Sequence, residues 1–253
     1  MHILLANDDG IGTVGIMALL DAALARGHRV TMCAPAVQQS AASHRITLSE
    51  PIMVREYPIE SPDATAYAIH GTPVDCVRLG LLGGLAKEPD MVLSGINNGY
   101  NAGVAVQYSG TVGAAMEGTL YRLPSIAASV DYDAEPQMIR ELAEYVIEVA
   151  ERYQAHPNAR DMMLNLNAPA LPRAQWEKPI YAPLSTGFFA DGYDRLEGGR
   201  VGSFFCLQPG SACEPPAEGT DQWYLERNHP VFTLLGNPVC APEGAFAGLG
   251  LTE

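Results

Sequence analysis

Short apolar runs alternate with segments of helical periodicity through the first two thirds of this chain, and this alternation restricts the fold more than any other feature. The apolar runs are short and are bounded by Gly, Pro or polar residues, as buried strands are. Because strands that alternate with helices form a parallel sheet, we predict an α/β protein with a Rossmann-like, doubly wound and mostly parallel sheet. Strands are expected over 2–6, 28–34, 66–69, 91–93, 125–129 and 162–166, and helices over 16–26, 72–83, 111–121 and 136–153.

The helical periodicity disappears after about residue 172, where Gly, Pro and aromatic residues are interleaved. We therefore divide the chain into a Rossmann-like core, 1–172, and a β-hairpin and C-terminal extension, 173–253. The extension carries more aromatic rings than loops with little core of their own can bury, which is typical of an oligomer interface. These rings are Phe188, Phe189, Tyr193, Phe204 and Phe205.

Composition and charge restrict the class of protein and its partners. With 47% hydrophobic and 17% charged residues the chain is an ordinary globular one, and the net charge of −14 opposes binding to nucleic-acid polymers or anionic membranes. The first apolar run is about five residues long and meets charge at once, so we expect no signal peptide or spanning helix and a soluble, cytoplasmic protein. The five cysteines are scattered without CxxC spacing, which favours reduced thiols.

Three polar, glycine-rich segments follow predicted strands. Ligands of open parallel sheets bind outside the carboxyl ends of the strands, so these segments are expected to meet there. The adjacent carboxylates of Asp8 and Asp9 would repel each other in a partly dry cleft, and a hard divalent cation with oxygen ligands is the usual remedy. A plain Asx turn into the next helix is the alternative. The segments are "NDDG" (7–10), "APAVQQSAASHR" (34–45) and "SGINNGYNAG" (94–103).

Two further glycine patterns lie near helix starts. Gly10, Gly12 and Gly15 fit GxGxxG, but the second strand ends without the acidic residue that a dinucleotide ribose needs, so tight-turn glycines are the better interpretation than NAD binding. The segment 109–111, Ser-Gly-Thr, precedes a predicted helix, where hydroxyls and backbone N–H groups can bind phosphate; ordinary N-capping is the alternative. No Gly-Lys-Ser/Thr follows, so this is not a Walker A loop.

Seven segments together resemble the SurE survival-protein family of metal-dependent 5′(3′)-nucleotidases, in the family's order and over most of residues 1–170. The resemblance implies a phosphatase that releases inorganic phosphate from nucleoside 5′- and 3′-monophosphates, one Mg²⁺ or Mn²⁺ ion, and a homodimer or homotetramer. The segments are "NDDG" (7–10), "QSAASHRITL" (39–48), "HGTPVDCV" (70–77), "PDMVLSGINNGYNAG" (89–103), "YSGTVGAAMEG" (108–118), "LPSIAASV" (123–130) and "LNLNAP" (164–169).

The predicted site follows from these motifs. The resemblance implies that Asp8, Asp9, Ser40 and Asn97 hold the ion, with Asp8, Asp9 and Asn97 as the catalytic residues. Phosphate binding is assigned to Ser109, Gly110 and Thr111, and substrate contacts to Asn7, His44 and Asn101.

The chain departs from the family pattern at several positions. Ala36-Val37 replace the usual Asp-Arg pair, Val14 replaces a proline, and Ala41 and the segment 228–235 also differ. The predicted metal ligands are unaffected, so these departures bear on substrate preference and assembly.

Two alternatives to a metal-dependent phosphatase remain open from the residues alone: a covalent mechanism and a non-catalytic module. Asp8 or Asp9 could attack phosphorus directly, but haloacid-dehalogenase-type phosphatases use Asp-x-Asp-Gly-Thr, a spacing that "NDDGIG" lacks. A non-catalytic, receiver-like or ligand-sensing module with an acidic magnesium pocket is the second alternative. A receiver's partner lysine is not seen near a late strand end, and the chain is about twice the usual receiver length.

Overall fold

The computed structural model describes residues 1–187, 191–199, 202–208, 210 and 214–236. The helices are α1 (Val14–Ala25), α2 (Pro73–Leu81), α3 (Gly110–Leu120), α4 (Pro136–Tyr153) and α5 (Asp221–Leu225), with 3-10 helices at Gly103–Gln107 and Arg173–Gln175. The strands are β1 (His2–Ala6), β2 (Arg29–Pro35), β3 (Val54–Glu56), β4 (Ala64–Ile69), β5 (Met91–Asn98), β6 (Ser125–Val130), β7 (Met162–Ala168), β8 (Ile180–Tyr181), β9 (Gly192–Glu197), β10 (Ser203–Gln208) and β11 (Val231–Gly236).

The main sheet has nine strands in the order β3-β4-β2-β1-β5-β6-β7-β11-β8. The six strands from β4 to β7 in this order are parallel to their neighbours, whereas β3 and β11 run antiparallel to β4 and β7. Strands β9 and β10 form a separate antiparallel hairpin. The predicted α/β fold, with its mostly parallel sheet and hairpin, is confirmed.

Helices cover both faces of the sheet, as alternate side chains of β1 show. Ile3 and Leu5 belong to the hydrophobic core beneath α1 and α4, and Leu4 and Ala6 belong to the core beneath α2 and α3. Successive side chains of a strand point to opposite faces, so an uninterrupted apolar strand is one that is buried on both. Helix α4 buries one stripe with helical spacing, formed by Ile139, Leu142, Ala143, Val146, Ile147 and Ala150.

The sheet continues past residue 172, where the sequence interpretation ended the core. Strand β11 pairs with β7 from Val231↔Asn167 to Gly236↔Met162, and β8 then pairs with β11. An edge strand presents unpaired N–H and C=O groups, and β11 satisfies those of β7. The division at 172 therefore does not coincide with an end of the sheet. Phe188 and Phe189 lie outside the described residues.

The strand order places a crevice between β1 and β5. From β1 the chain passes through α1 to β2 on one side, and after α2 it crosses to β5 on the other. At such a switch point the connections leave in opposite directions and open a cleft at the carboxyl ends of the strands.

The cysteines of the described residues are free thiols. Cys33 and Cys76 are free and buried, Cys206 is free and exposed, and Cys213 and Cys240 lie outside the described residues. Burial raises the pKa of the Cys33 thiol to about 12. Among the residues described, no helix is both long and apolar enough to cross a bilayer.

Candidate functional site

A cavity of about 300 Å³, here called the carboxylate cavity, lies at the carboxyl ends of β1 and β5. All four residues predicted as metal ligands line it, together with predicted phosphate and substrate contacts. These lining residues are Asp8, Asp9, Ser40, Asn97, Asn101 and Ser109.

The chain turns sharply after β1, and Asn7 holds the turn. Its Nδ2 donates to the Gly10 carbonyl oxygen (2.9 Å) and to Thr13 Oγ1 (3.1 Å), while its Oδ1 accepts from the Gly10 N–H (3.2 Å). Gly10 has φ +106°, a conformation that residues with a Cβ rarely adopt. The turn allows the side chains of Asp8 and Asp9 to reach the same cavity. Asn7, predicted as a substrate contact, is fully buried within this turn.

The carboxylate of Asp8 lies at the N-terminus of α3. Thr111 Oγ1 donates a hydrogen bond to Asp8 Oδ1. A Cβ at Gly110 would come within 2.9 Å of Asp8 Cβ, so only glycine permits the approach. Burial raises the pKa of Asp8 despite this donor. The hydroxyl of Thr111, a residue predicted to bind phosphate, therefore donates to an aspartate in this structure.

Asp9 is bound more loosely than Asp8. Its Oδ2 accepts from the Asn98 N–H at 3.3 Å and its Oδ1 from Gln38 Nε2 at 3.4 Å. Burial, and then the negative charge of Asp8, raise the pKa of Asp9. No Lys or Arg is found among the described residues that line the cavity. The negative charge of the two carboxylates is therefore not balanced by a cationic side chain there.

Ser40 and Asn97 bring neutral oxygens to the same cavity. Asn97 Nδ2 donates to the Gly99 carbonyl oxygen at 2.7 Å, which leaves Asn97 Oδ1 as an acceptor. The register between β5 and β6 shifts between Ser94 and Asn97, so a bulge sets the position of this side chain. Carboxylate, hydroxyl and amide oxygens together fit a hard divalent cation. In the part of the chain that is described, no three His, Cys, Asp or Glu side chains lie close enough together to hold a metal ion. The two carboxylates would therefore need the neutral oxygens of Ser40 and Asn97 to complete the ligand set.

The loop that carries Ser40 is fixed on both sides of it. The Gln39 N–H donates to the backbone oxygen of Asp8 at 2.7 Å, and the Ser43 N–H donates to that of Tyr108 at 2.9 Å. Ser40 itself is exposed to solvent. The hydroxyl therefore reaches the cavity on a loop that is held in place by main-chain bonds.

His44 lies away from the carboxylate cavity. Its Nε2 pairs with Glu117 at 2.7 Å, and Arg78 Nη1 donates to the other carboxylate oxygen of Glu117 at 2.7 Å. Burial would raise the pKa of Glu117, but these two partners hold it below its ordinary value. His44 lines a neighbouring cavity of about 410 Å³ that shares Ser109 with the first.

Asn101 is buried in the cavity wall, where hydrogen bonds to two other asparagines and a serine hold it in place. Its N–H donates to Asn167 Oδ1 and its Nδ2 to Ser129 Oγ, each at 2.8 Å, while its carbonyl oxygen accepts from Asn165 Nδ2 at 2.8 Å. The sequence analysis did not assign a role to Asn165 or Asn167. Their alternation in the apolar strand "LNLNA" is the signal, since it places both amides on one face of β7.

The sequence interpretation also missed three tyrosines that line the carboxylate cavity: Tyr100, Tyr108 and Tyr132. Tyr108 and Tyr132 are 62% and 74% exposed. No periodicity marks them, because they lie in loops and at a 3-10 helix end rather than in regular elements.

Comparison with known proteins finds a matching family model, similar curated proteins and a similar solved structure. The family model described as "Survival protein SurE" matches residues 3–190. The 5′-nucleotidase SurE of Maridesulfovibrio salexigens is 37% identical over 93% of this chain and 92% of its own, and that of Desulfovibrio desulfuricans is 38% identical with the same coverage. The crystal structure of the SurE protein from Aquifex aeolicus superposes with a TM-score of 0.80 at 30% identity, over 97% of each chain. The chain belongs to the SurE survival-protein family.

Proposed function

We propose that this protein is a metal-dependent phosphatase that hydrolyses nucleoside 5′-monophosphates, and also 3′-monophosphates, to nucleoside and inorganic phosphate. The observation that carries the proposal is the convergence of four oxygen donors, Asp8, Asp9, Ser40 and Asn97, on one cavity at the switch point of the sheet. The relatives named 5′-nucleotidase SurE support it.

One Mg²⁺ or Mn²⁺ ion fits this donor set, and the two carboxylates would balance its charge. Such an ion, when bound, neutralises phosphoryl oxygens and makes a bound water more acidic. Ser40 and Asn97 add oxygen ligands without adding negative charge. A phosphate dianion is therefore repelled less than it would be by a site built of four carboxylates.

Ser109 is the side chain best placed to donate to the substrate phosphate. It caps α3, where its Oγ accepts from the Val112 N–H at 3.0 Å, so its hydroxyl proton is left for an acceptor in the cavity. A donor aimed at the phosphoryl group stabilises charge that grows in the transition state. Thr111 instead keeps Asp8 in place, and this hydrogen bond makes Asp8 a weaker nucleophile than a free carboxylate.

The remaining parts of the proposal concern location and partners. We infer a cytoplasmic homo-oligomer, a homodimer or homotetramer, that acts on nucleoside monophosphates and binds neither nucleic-acid polymers nor membranes. The exposed apolar side chains of the β9–β10 hairpin and the net charge of −14 support these inferences.

The test is phosphate release from a panel of nucleoside 5′- and 3′-monophosphates with each divalent ion and with chelator. We expect release that requires Mg²⁺ or Mn²⁺ and that falls at least about 100-fold in Asp9→Asn. Asp63→Asn, an exposed aspartate remote from the cavity, is the control and should match the parent. Release that persists in chelator and in Asp9→Asn would refute the metal mechanism, and ion binding without any release would favour the magnesium-sensing alternative.

A further inference from the structure

Two asparagines of β7 bind the wall of the carboxylate cavity without lining the cavity themselves. Asn165 and Asn167 are fully buried, and both side chains converge on Asn101, which does line it. Their Nδ2 groups donate to the Asn101 carbonyl oxygen at 2.8 Å and 3.1 Å, and Asn167 Oδ1 accepts from the Asn101 N–H at 2.8 Å. The main chain of Asn101 is thus fixed from β7.

Asn165 lies where an apolar side chain would be more stable. It is opposite Ala127 of β6 and on the same face of β7 as Met163, two members of one hydrophobic cluster. Its Oδ1 is buried and has no hydrogen-bond partner among the described residues. A buried polar atom without a partner costs free energy, and a leucine of similar shape would not carry that cost. What the amide adds, and a leucine could not, is the hydrogen bond to Asn101.

The side chain of Asn101 keeps an acceptor for the cavity. Its Nδ2 donates to Ser129 Oγ, whereas its Oδ1 makes no hydrogen bond to the other described residues. A carboxamide oxygen needs a donor, and a phosphate dianion has no proton to give. Asn101 is only 6% exposed, so a molecule as small as water reaches this oxygen more easily than the sugar of a substrate does.

We propose that Asn101 orients the attacking water in the carboxylate cavity, and that Asn165 and Asn167 are positioning residues that hold Asn101 in place for it. The inference rests on the proposed phosphatase function and adds to it the residues that aim the nucleophile.

The reaction step is ester hydrolysis. The water oxygen bonds to phosphorus while the bond from phosphorus to the ester oxygen breaks. One water proton ends on the released hydroxyl and the other stays with the phosphate. A hydrogen bond to Asn101 Oδ1 fixes one O–H of the water, so that a lone pair of the water oxygen faces the phosphorus atom.

The first measurement is a double-mutant cycle between Asn101 and Asn165, with kcat and KM determined for AMP. Asn101→Ala should lower kcat about 10- to 100-fold and Asn165→Leu about tenfold, each with a KM within about twofold of the parent's. In the Asn101→Ala background, Asn165→Leu should cause no further loss, because it acts through the Asn101 side chain. Losses that multiply in the double variant would refute positioning through Asn101.

The second measurement compares AMP with p-nitrophenyl phosphate, which is attacked by water in the same way but has no sugar. Asn101→Ala and Asn165→Leu should each lower kcat by the same factor for both esters. A loss confined to AMP would place the sugar rather than the water at Asn101, and the proposal would be wrong.

The third measurement, thermal melting, distinguishes positioning from a merely structural role. Asn165→Leu should melt at or above the parent's temperature although it loses activity. Thr233→Val is the matched control and should melt below the parent while keeping its kcat. Thr233 is buried and lies opposite Asn165 on β11, but its hydroxyl donates to the Ala182 carbonyl oxygen rather than to Asn101.

A second variant, Asn165→Ala, removes the same donor without adding methyl groups and should show the same loss of kcat. If both Asn165 variants keep the parent's kcat, or if Thr233→Val loses as much kcat as they do, the positioning role is refuted while the phosphatase stands. If the parent releases no phosphate from either ester with any divalent ion, the proposed function fails and this inference with it.

Discussion

The hydroxyl of Thr111 donates a hydrogen bond to Oδ1 of Asp8 and so joins the first turn of α3 to the end of β1. Both residues are buried, and the absence of a Cβ at Gly110 leaves room for the Asp8 side chain. The bond fixes which oxygen of Asp8 stays available to the cavity. An outer partner that orients a metal-ligating carboxylate in this way also tunes the affinity of the site.

Thr111→Val should therefore weaken Mn²⁺ binding and phosphate release by about 10- to 100-fold, because Asp8 loses its side-chain donor. Thr111→Ser, which keeps the hydroxyl, should stay close to the parent. Thr119→Val is the matched control on the same helix, since the buried Thr119 hydroxyl has no hydrogen-bond partner among the described residues. Calorimetric Mn²⁺ titration and steady-state kinetics check this. Parent-like affinity and turnover in Thr111→Val would show that the bond is only structural.

The sequence was most informative where a long apolar run or a strong cap occurs. Strands β1, β2, β5, β6 and β7 are buried on both faces, and Thr72, Pro73 and Asp75 mark the start of α2 as a capping box. Strand β3 has only three residues and so carries little local signal. Strand β11 is a short apolar run, but its pairing with a strand about 70 positions earlier has no local signal.

The candidate site was predictable to the extent that the order of the strands places its residues together. Topology alone brings the strand ends of Asp8, Asp9 and Asn97 together. Whether a hydroxyl such as that of Thr111 faces a ligand or a neighbouring carboxylate depends on contacts between elements about 100 residues apart, which periodicity does not encode.

Asn97→Asp should tighten Mn²⁺ binding and slow phosphate release, because a third carboxylate attracts the ion and repels the substrate phosphate. It should also weaken the metal-free fold, since Asn97 Nδ2 no longer donates to the Gly99 carbonyl. Asn98→Asp adds the same charge to the cavity wall and is the control. Titration calorimetry and kinetics are the measurements. Equal tightening in both variants would mean that added charge, and not a ligand position at Asn97, is responsible.

Asp75 should stabilise the protein in a pH-dependent way. Burial would raise the pKa of Asp75, but hydrogen bonds from Thr47 and Thr72 outweigh it and hold the pKa below its ordinary value. A lowered pKa contributes stability above the unfolded-state pKa and loses it as pH falls through the folded-state pKa. Asp75→Asn should cost about 1–3 kcal/mol at neutral pH, and the cost should shrink in acid. Urea unfolding across pH checks this, with Asp63→Asn as control; a constant difference would contradict it.

The hairpin should hold copies of this chain together. Leu196 pairs with Phe204 on one face of β9–β10, and they are 54% and 58% exposed. A two-stranded ribbon is marginal alone, so apolar side chains on it are expected to pack against a partner. Phe204→Asp should shift the mass in light scattering toward the monomer, whereas Leu48→Asp, at an 85% exposed loop position, should not. A parent that is monomeric at micromolar concentration would contradict the proposed oligomer.

Asp8 and Asp9 should lower the stability of the metal-free protein. Burial raises the pKa of both, and the charge of Asp8 adds to the shift of Asp9. A raised pKa gives a contribution that is complete below the unfolded-state pKa and is lost as pH rises through the folded-state pKa. In chelator the parent should therefore lose stability as the pH rises above the ordinary aspartate pKa of about 4, and Asp9→Asn should lose less.

With a bound ion, the parent should instead be more stable than the variants that lack one of the two carboxylates. An ion that binds only the folded state stabilises it by RT ln(1 + [L]/Kd), about 2.7 kcal/mol at 100 times Kd. Asp8→Asn and Asp9→Asn remove a carboxylate ligand and should gain little from Mn²⁺, whereas the parent should gain the full amount. Thermal melts of the parent and both variants, in chelator and in Mn²⁺ at two pH values, separate the two effects. If the variants melt below the parent in chelator and gain as much from Mn²⁺, the two carboxylates serve only the turn after β1, and the metal site is refuted.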